Sequence, residues 1–243
     1  MITPWLVCPR PNPRAALRLL CFPYAGGGAQ IFRTWPAALP PDVELLAVEL
    51  PGRGTRFSER PFEQLPPLID ALTDALGPAL QAPFAIYGHS MGAVVGFSFA
   101  RELRRRSLRE PVHLFMSGRR APQLPEPTPM HQLPAPQFLD RLRRLGGIPD
   151  ALFQEPELME VFLPILRADV AVAESGPVGF AATTGARFGS EPVAATTCFR
   201  NKRTLMLSVL RAVKNYIGAS GNFVAIAQPI KRAGRAKRPA GPE

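Results

Sequence analysis

The chain has 243 residues, 46% of them apolar, enough for one domain with a sizeable core. No run approaches the ~18 consecutive apolar residues of a membrane span, and Met1-Ile2-Thr3-Pro4-Trp5 lacks the basic-then-apolar order of a secretory leader. The net charge of +10 points toward nucleic acid, but it is unevenly placed: residues 1–175 hold 18 Arg, no Lys and 17 acids, while residues 176–243 hold 11 basic residues and 2 acids.

In chain order, Leu17-Arg18-Leu19-Leu20-Cys21-Phe22 reads as a strand, followed by the loop Tyr24-Ala25-Gly26-Gly27-Gly28. Ile31, Phe32 and Trp35 have helical spacing. Val43 to Leu50 reads as a second strand, stopped by Pro51-Gly52. Between residues 61 and 80, Leu65, Leu68, Ile69, Leu72 and Leu76 share one helical face, with Asp70 and Asp74 on another. Phe84-Ala85-Ile86-Tyr87 is a third strand. A helix from about Met91 turns Val94, Val95 and Leu103 inward and Arg101, Arg104 and Arg105 outward, and its basic last turn suits the helix dipole. Val112 to Ser117 is a fourth strand. This alternation predicts an α/β fold of the α/β-hydrolase type, a mostly parallel sheet with helices on both faces.

Six prolines between residues 121 and 136 mark a loop leaving the sheet. Two amphipathic stretches follow, one with Phe138, Leu139, Leu142 and Leu145, the other with Leu158, Val161, Phe162, Ile165 and Leu166. Their position after a strand predicts a helical lid at about residues 122–167. Beyond Glu174 the pattern degrades. Met206, Val209, Leu210, Val213 and Ile217 could share one helix face, and residues 231–243 read as disordered. The expected organisation is an α/β core over residues 1–175 and a divergent, poorly folded basic tail over 176–243. With its C-terminal strands missing, the sheet would leave Val112–Ser117 as an uncovered edge.

All four lysines (Lys202, Lys214, Lys231 and Lys237) lie in that tail. The break in residue usage predicts a junction between pieces of different origin, such as a shifted reading frame or a fusion. A nucleic-acid binder through residues 187–238 would rest on charge alone, because Phe188, Phe199, Tyr216 and Phe223 are scattered rather than interleaved with the basic residues. Cys8, Cys21 and Cys198 form an odd, widely spaced set without a disulfide or metal pattern. A reduced, cytoplasmic setting is expected, with no metal and no cofactor.

The chemistry concentrates in Gly88-His89-Ser90-Met91-Gly92, a Gly-x-Ser-x-Gly pentapeptide between a strand and a helix. In that context it is a nucleophile elbow: a sharp turn that lifts the serine hydroxyl above the sheet and needs small residues on either side. The helix N-terminus behind it offers free N–H groups to a developing oxyanion. A serine needs a base and a carboxylate to orient that base, and in chains with this elbow both follow the serine. This chain has three histidines, His89, His113 and His131, and none lies beyond residue 131. His89 sits inside the elbow, His113 in an apolar strand and His131 in the Pro-rich segment. None reads as the base, although His131 could swing toward Ser90.

The elbow does not stand alone. Phe22-Pro23-Tyr24-Ala25-Gly26-Gly27, Leu50-Pro51-Gly52-Arg53-Gly54, Ser117-Gly118-Arg119-Arg120-Ala121-Pro122 and Leu166-Arg167-Ala168-Asp169 accompany it in order. From about residue 16 to 174 the chain resembles the type II, or editing, thioesterases of polyketide and nonribosomal peptide synthases, enzymes of antibiotic biosynthesis. The resemblance implies hydrolysis of stalled acyl groups from the phosphopantetheine arm of an acyl or peptidyl carrier protein. It implies Ser90 as nucleophile and the Ala25 and Met91 N–H groups as oxyanion hole. It gives no match for the triad Asp and His after residue 175, and Asp169 matches a position other than the catalytic one. Two readings stay open: a thioesterase, or an impaired remnant that at most docks a carrier protein.

Overall fold

Four strands are buried on both faces, which is why they read as nearly unbroken apolar runs. They are β2 (Leu17–Phe22), β3 (Val43–Val48), β4 (Phe84–His89) and β5 (His113–Ser117). A computed structural model describes residues 3–118, 129–145, 155–175 and 224–227, the last as a backbone strand. Two further strands flank the four, β1 (Leu6–Val7) and β6 (Val224–Ala227), and the sheet order is β1-β3-β2-β4-β5-β6. Among the described strands only β1 is antiparallel, pairing Leu6 with Val48. The mostly parallel sheet expected from the alternation is present.

Successive side chains of a strand point to opposite faces, and the core divides accordingly. Leu20, Phe22, Leu46, Val48, Ile86, Leu114 and Met116 face one side, under α1 (Leu65–Leu76) and α2 (Met91–Arg105). Leu19, Cys21, Leu45, Ala47, Ala85, Tyr87 and Phe115 face the other, against Ala29, Phe32 and Trp35. The helix expected around Ile31 and Trp35 is instead a pair of 3-10 turns, Ala29–Phe32 and Trp35–Ala37. Pro36 supplies no N–H to extend a helix through that point.

The Arg cluster at the end of α2 does more than suit a dipole. Arg106 donates to Asp70 at 2.7 Å, to Glu102 at 2.6 Å and to Asp74. It therefore ties α2 to α1 across the polar rim of the interface.

Helices α3 (Ala135–Leu145) and α4 (Pro156–Glu174) are the two expected amphipathic stretches. Met130, Phe138, Leu142, Leu166 and Val170 form a cluster of their own, with Ala25 packed against it. The C-terminal turn of α4 goes further: Val172 and Ala173 join the main core beside α1 and α2. This helix is thus partly cover and partly foundation.

The expectation of an uncovered edge at β5 does not hold. Val224–Ala227 pairs in parallel with Leu114–Ser117, in register from Leu114↔Val224 to Ser117↔Ala227. A parallel pair needs a crossover of a dozen residues or more, and the intervening chain has ample length. The expected helix around Met206–Ile217, the tail 231–243, and most of the Pro-rich and lid-connecting segments lie outside the described residues. No helix among the described residues is long and apolar enough to cross a membrane.

Candidate active site

The turn from β4 into α2 is built from backbone against backbone. Ser90 has φ 54° and ψ −117°, a conformation that non-glycine residues adopt only when the surroundings enforce it. Its N–H donates to the Ser117 carbonyl at 2.9 Å, pinning the elbow to the end of β5. A Cβ on Gly88 would overlap the Gly92 carbonyl, and a Cβ on Gly92 would overlap the Phe22 carbonyl. Both glycines are therefore required by close approach. Ser90 is half-buried at the N-terminus of a fifteen-residue helix, and Met91 behind it is buried. The first N–H groups of such a helix have no partner within it.

Ala25 lies three residues past β2, at the same sheet edge as the elbow, since β2 and β4 run parallel with Phe22 beside Gly88. The N–H groups of the two residues after it are engaged: Gly26 N–H donates to Asp169 Oδ2 at 2.7 Å and Gly27 N–H to the Tyr24 carbonyl at 2.8 Å. Among the described residues, nothing takes the Ala25 N–H.

The three histidines go to three different environments. The His89 Nδ1 lies 2.9 Å from Ser117 Oγ, and the same hydroxyl bonds the buried Tyr87 phenol. The His113 ring is buried against Phe115, with centroids 4.3 Å apart, and burial pulls its pKa down to about 4. His131 is held by Glu174, whose carboxylate accepts the Met130 N–H at 2.7 Å and the His131 N–H at 3.1 Å and sits 2.6 Å from His131 Nδ1. Arg167 adds bonds to the His131 and Leu133 carbonyls.

A thioesterase-domain family model matches residues 17–206, most of the chain and beyond the Glu174 at which the resemblance read from motifs stops. The chain belongs to the thioesterase domain family. It is 43% identical over 175 residues to the gramicidin S biosynthesis protein GrsT of Aneurinibacillus migulanus, covering 72% of this chain and 68% of GrsT. It resembles the solved RedJ thioesterase from the prodiginine pathway of Streptomyces coelicolor, with TM-score 0.66 and 33% identity over 88% of this chain and 78% of RedJ. It also resembles YbtT, the type II thioesterase of the yersiniabactin pathway, with TM-score 0.59 and 33% identity over 71% of this chain and 70% of YbtT. The matched segment spans about two thirds of the length of the curated relatives.

Within this thioesterase-family fold, motif reading missed two partnerships. Arg53 and Asp169, 116 residues apart, meet in a buried ion pair of 2.7 Å. Glu49 Oε2 accepts the Ala29 N–H at 3.2 Å, while its Oε1 is buried without a partner among the described residues, and burial raises this carboxyl above its ordinary range. The only sequence signal for either was a charged residue inside an otherwise small or apolar motif. Asp169 is fully engaged by Arg53 and Gly26. No group of three His, Cys, Asp or Glu side chains among the described residues is arranged to hold a metal ion.

Proposed function

We propose that this thioesterase-family chain acts on acyl groups carried as phosphopantetheine thioesters on an acyl or peptidyl carrier protein, in the editing role of the type II enzymes of polyketide and nonribosomal peptide pathways. The single observation that carries the reading is Ser90 at φ 54° between two glycines that admit no Cβ. In this reading Ser90 Oγ attacks the thioester carbonyl, the C–S bond breaks, and the pantetheine thiol leaves with the proton. Water then hydrolyses the serine ester to the free acid. The Met91 and Ala25 N–H groups stabilise the oxyanion of each tetrahedral intermediate.

The same reading includes a deficit. No histidine follows His131 in these 243 residues, and within them no residue matches the late base that such an elbow calls for. Without a working triad, the oxyanion hole and binding alone leave a residual acceleration of roughly 10³–10⁴-fold over water. Slow release from an acyl-carrier thioester is the expected outcome. One observation favours a substitute base. Glu174 holds His131 through Nδ1, the way a triad carboxylate holds its imidazole. Turnover on the order of 1 s⁻¹ or more that disappears in both Ser90→Ala and His131→Ala would establish that substitute. The same turnover surviving Ser90→Ala would overturn the serine mechanism.

A further inference from the structure

The turn after β2 is held by groups far away in sequence. The Tyr24 carbonyl accepts the Gly27 N–H at 2.8 Å, and Gly26 takes φ 76°, as the third position of a type II turn requires. In a trans peptide the N–H points opposite to the C=O. Turning the Tyr24 carbonyl inward therefore turns the Ala25 N–H outward. The next peptide, Ala25–Gly26, is set separately. Its N–H donates to Asp169 Oδ2 at 2.7 Å.

Asp169 receives Arg53 through two parallel bonds, Nη1 to Oδ2 at 2.8 Å and Nη2 to Oδ1 at 2.7 Å. The same Nη1 donates to the Gly27 carbonyl at 3.0 Å. The pair thus grips both sides of one turn. Asp169 is 2% exposed and Arg53 6%. Leu166, one helical turn earlier on α4, fills the space beside Gly26.

A buried ion pair is a poor way to add stability, because desolvation offsets the attraction and apolar residues of equal volume often serve as well. What a forked guanidinium–carboxylate pair supplies is fixed direction. Here that direction is delivered to the peptide next to the Ala25 N–H.

We propose that Arg53 and Asp169 are positioning residues for the oxyanion hole: together they orient the Ala25–Gly26 turn so that the Ala25 N–H faces the acyl oxygen of a substrate on Ser90. This rests on the roles given to Ala25 and Ser90 above. Because Asp169 belongs to α4, it also couples the cover of the site to its oxyanion hole.

The test uses a Ser90→Cys background, since a thiolate attacks a thioester without a general base and the result is then independent of any histidine. Two reagents are compared at that position by peptide mass mapping, which separates it from Cys8, Cys21 and Cys198. An acyl N-acetylcysteamine thioester reacts through a tetrahedral oxyanion. The new C–S bond forms as the oxyanion does, the old one breaks as the oxyanion collapses, and the released thiolate takes up a proton. Iodoacetamide loses iodide at a saturated carbon and forms no oxyanion. Asp169→Asn, and the charge-free combination Arg53→Met with Asp169→Leu, should slow acylation at least about ten-fold while alkylation stays within about two-fold. Unchanged acylation, or an equal fall in both reactions, overturns the proposal. Hydrogen exchange over residues 24–29 gives a second readout on the same folded proteins. If the parent thiol is acylated no faster than free cysteine, the thioesterase reading fails. The positioning claim is then decided by exchange: lost protection in the variants upholds it and retained protection overturns it.

Discussion

The nucleophile turn and the layer of α3 and α4, the cover packed against Ala25, are held by different kinds of contact. At the turn, Gly88 meets the Gly92 carbonyl, Gly92 meets the Phe22 carbonyl, and Ser90 N–H meets the Ser117 carbonyl. Backbone atoms have no rotamers, so nothing there can give way. In the cover, Phe138 and Leu142 of α3 pack on Met130, Leu166 and Val170, and Leu145, Leu158 and Val161 remain exposed. Side chains of that kind can repack around a change of shape. The contrast assigns rigidity to the turn at Ser90 and tolerance to the packed layer of α3 and α4.

The largest test sets one added methyl against one rearranged side chain. Gly92→Ala should cost about 3 kcal/mol or more, or prevent folding, because the new Cβ overlaps the Phe22 and Pro23 main-chain carbonyls. Leu142→Met in α3 conserves volume and should cost less than about 1.5 kcal/mol. Urea unfolding of the two variants measures both. Similar costs would dissolve the distinction between turn and cover.

The same difference explains what could be read in advance. The elbow was legible because its requirements are local: two glycines, a strand before and a helix after. The strands β2, β3, β4 and β5 were legible because burial on both faces leaves apolar runs. The 3-10 turns at Ala29–Phe32 and Trp35–Ala37 mimic helical spacing over too few residues to distinguish. The two-residue β1 is too short to show a period, and β6 offered only the short apolar run Phe223–Ala227, remote from its partner. The Arg53–Asp169 pair could not be read as a pair at all, since nothing local to either residue names the other. For the same reason the elbow announced a nucleophile while the sequence stayed silent on a base.

A second test moves to the opposite end of the sheet. His113 begins β5, away from the elbow, and burial lowers its pKa from 6.5 to about 4. The unfolded chain then binds a proton that the folded chain refuses, between those two values. Stability is therefore complete above about pH 6.5 and declines as pH falls toward 4, by up to roughly 3 kcal/mol. Chemical denaturation across that window should show the slope, and His113→Leu should flatten it. A slope unchanged in His113→Leu would place the acid sensitivity elsewhere.

A third test concerns how the cover is attached. Glu174 accepts three hydrogen bonds from the Met130–His131 segment that leads into α3. Glu174→Ala strands two backbone donors at once and should cost about 2 kcal/mol. Increased hydrogen exchange should be confined to residues 129–145, with β4 and the start of α2 unaffected. Exchange that rises equally at the elbow would mean that cover and turn open as one unit.

The smallest expected effect is the most exacting for the comparison. Leu158 and Val161 lie three apart on α4, 48% and 45% exposed, while Met159, Ile165, Leu166 and Val170 on the same helix are buried. Serine in place of either loses little burial, and its helix propensity differs from that of leucine or valine by only a few tenths of a kcal/mol. Leu158→Ser and Val161→Ser should therefore each shift stability by no more than about 0.5 kcal/mol, read from thermal or urea midpoints. A loss several times larger would show that these side chains are covered in solution, by another part of the chain or by a second molecule. The cover would then be a packed layer rather than a tolerant one. A loss within the expected range, alongside a severe effect of Gly92→Ala, would leave the main-chain contacts of the turn as the part of this site that admits no substitution.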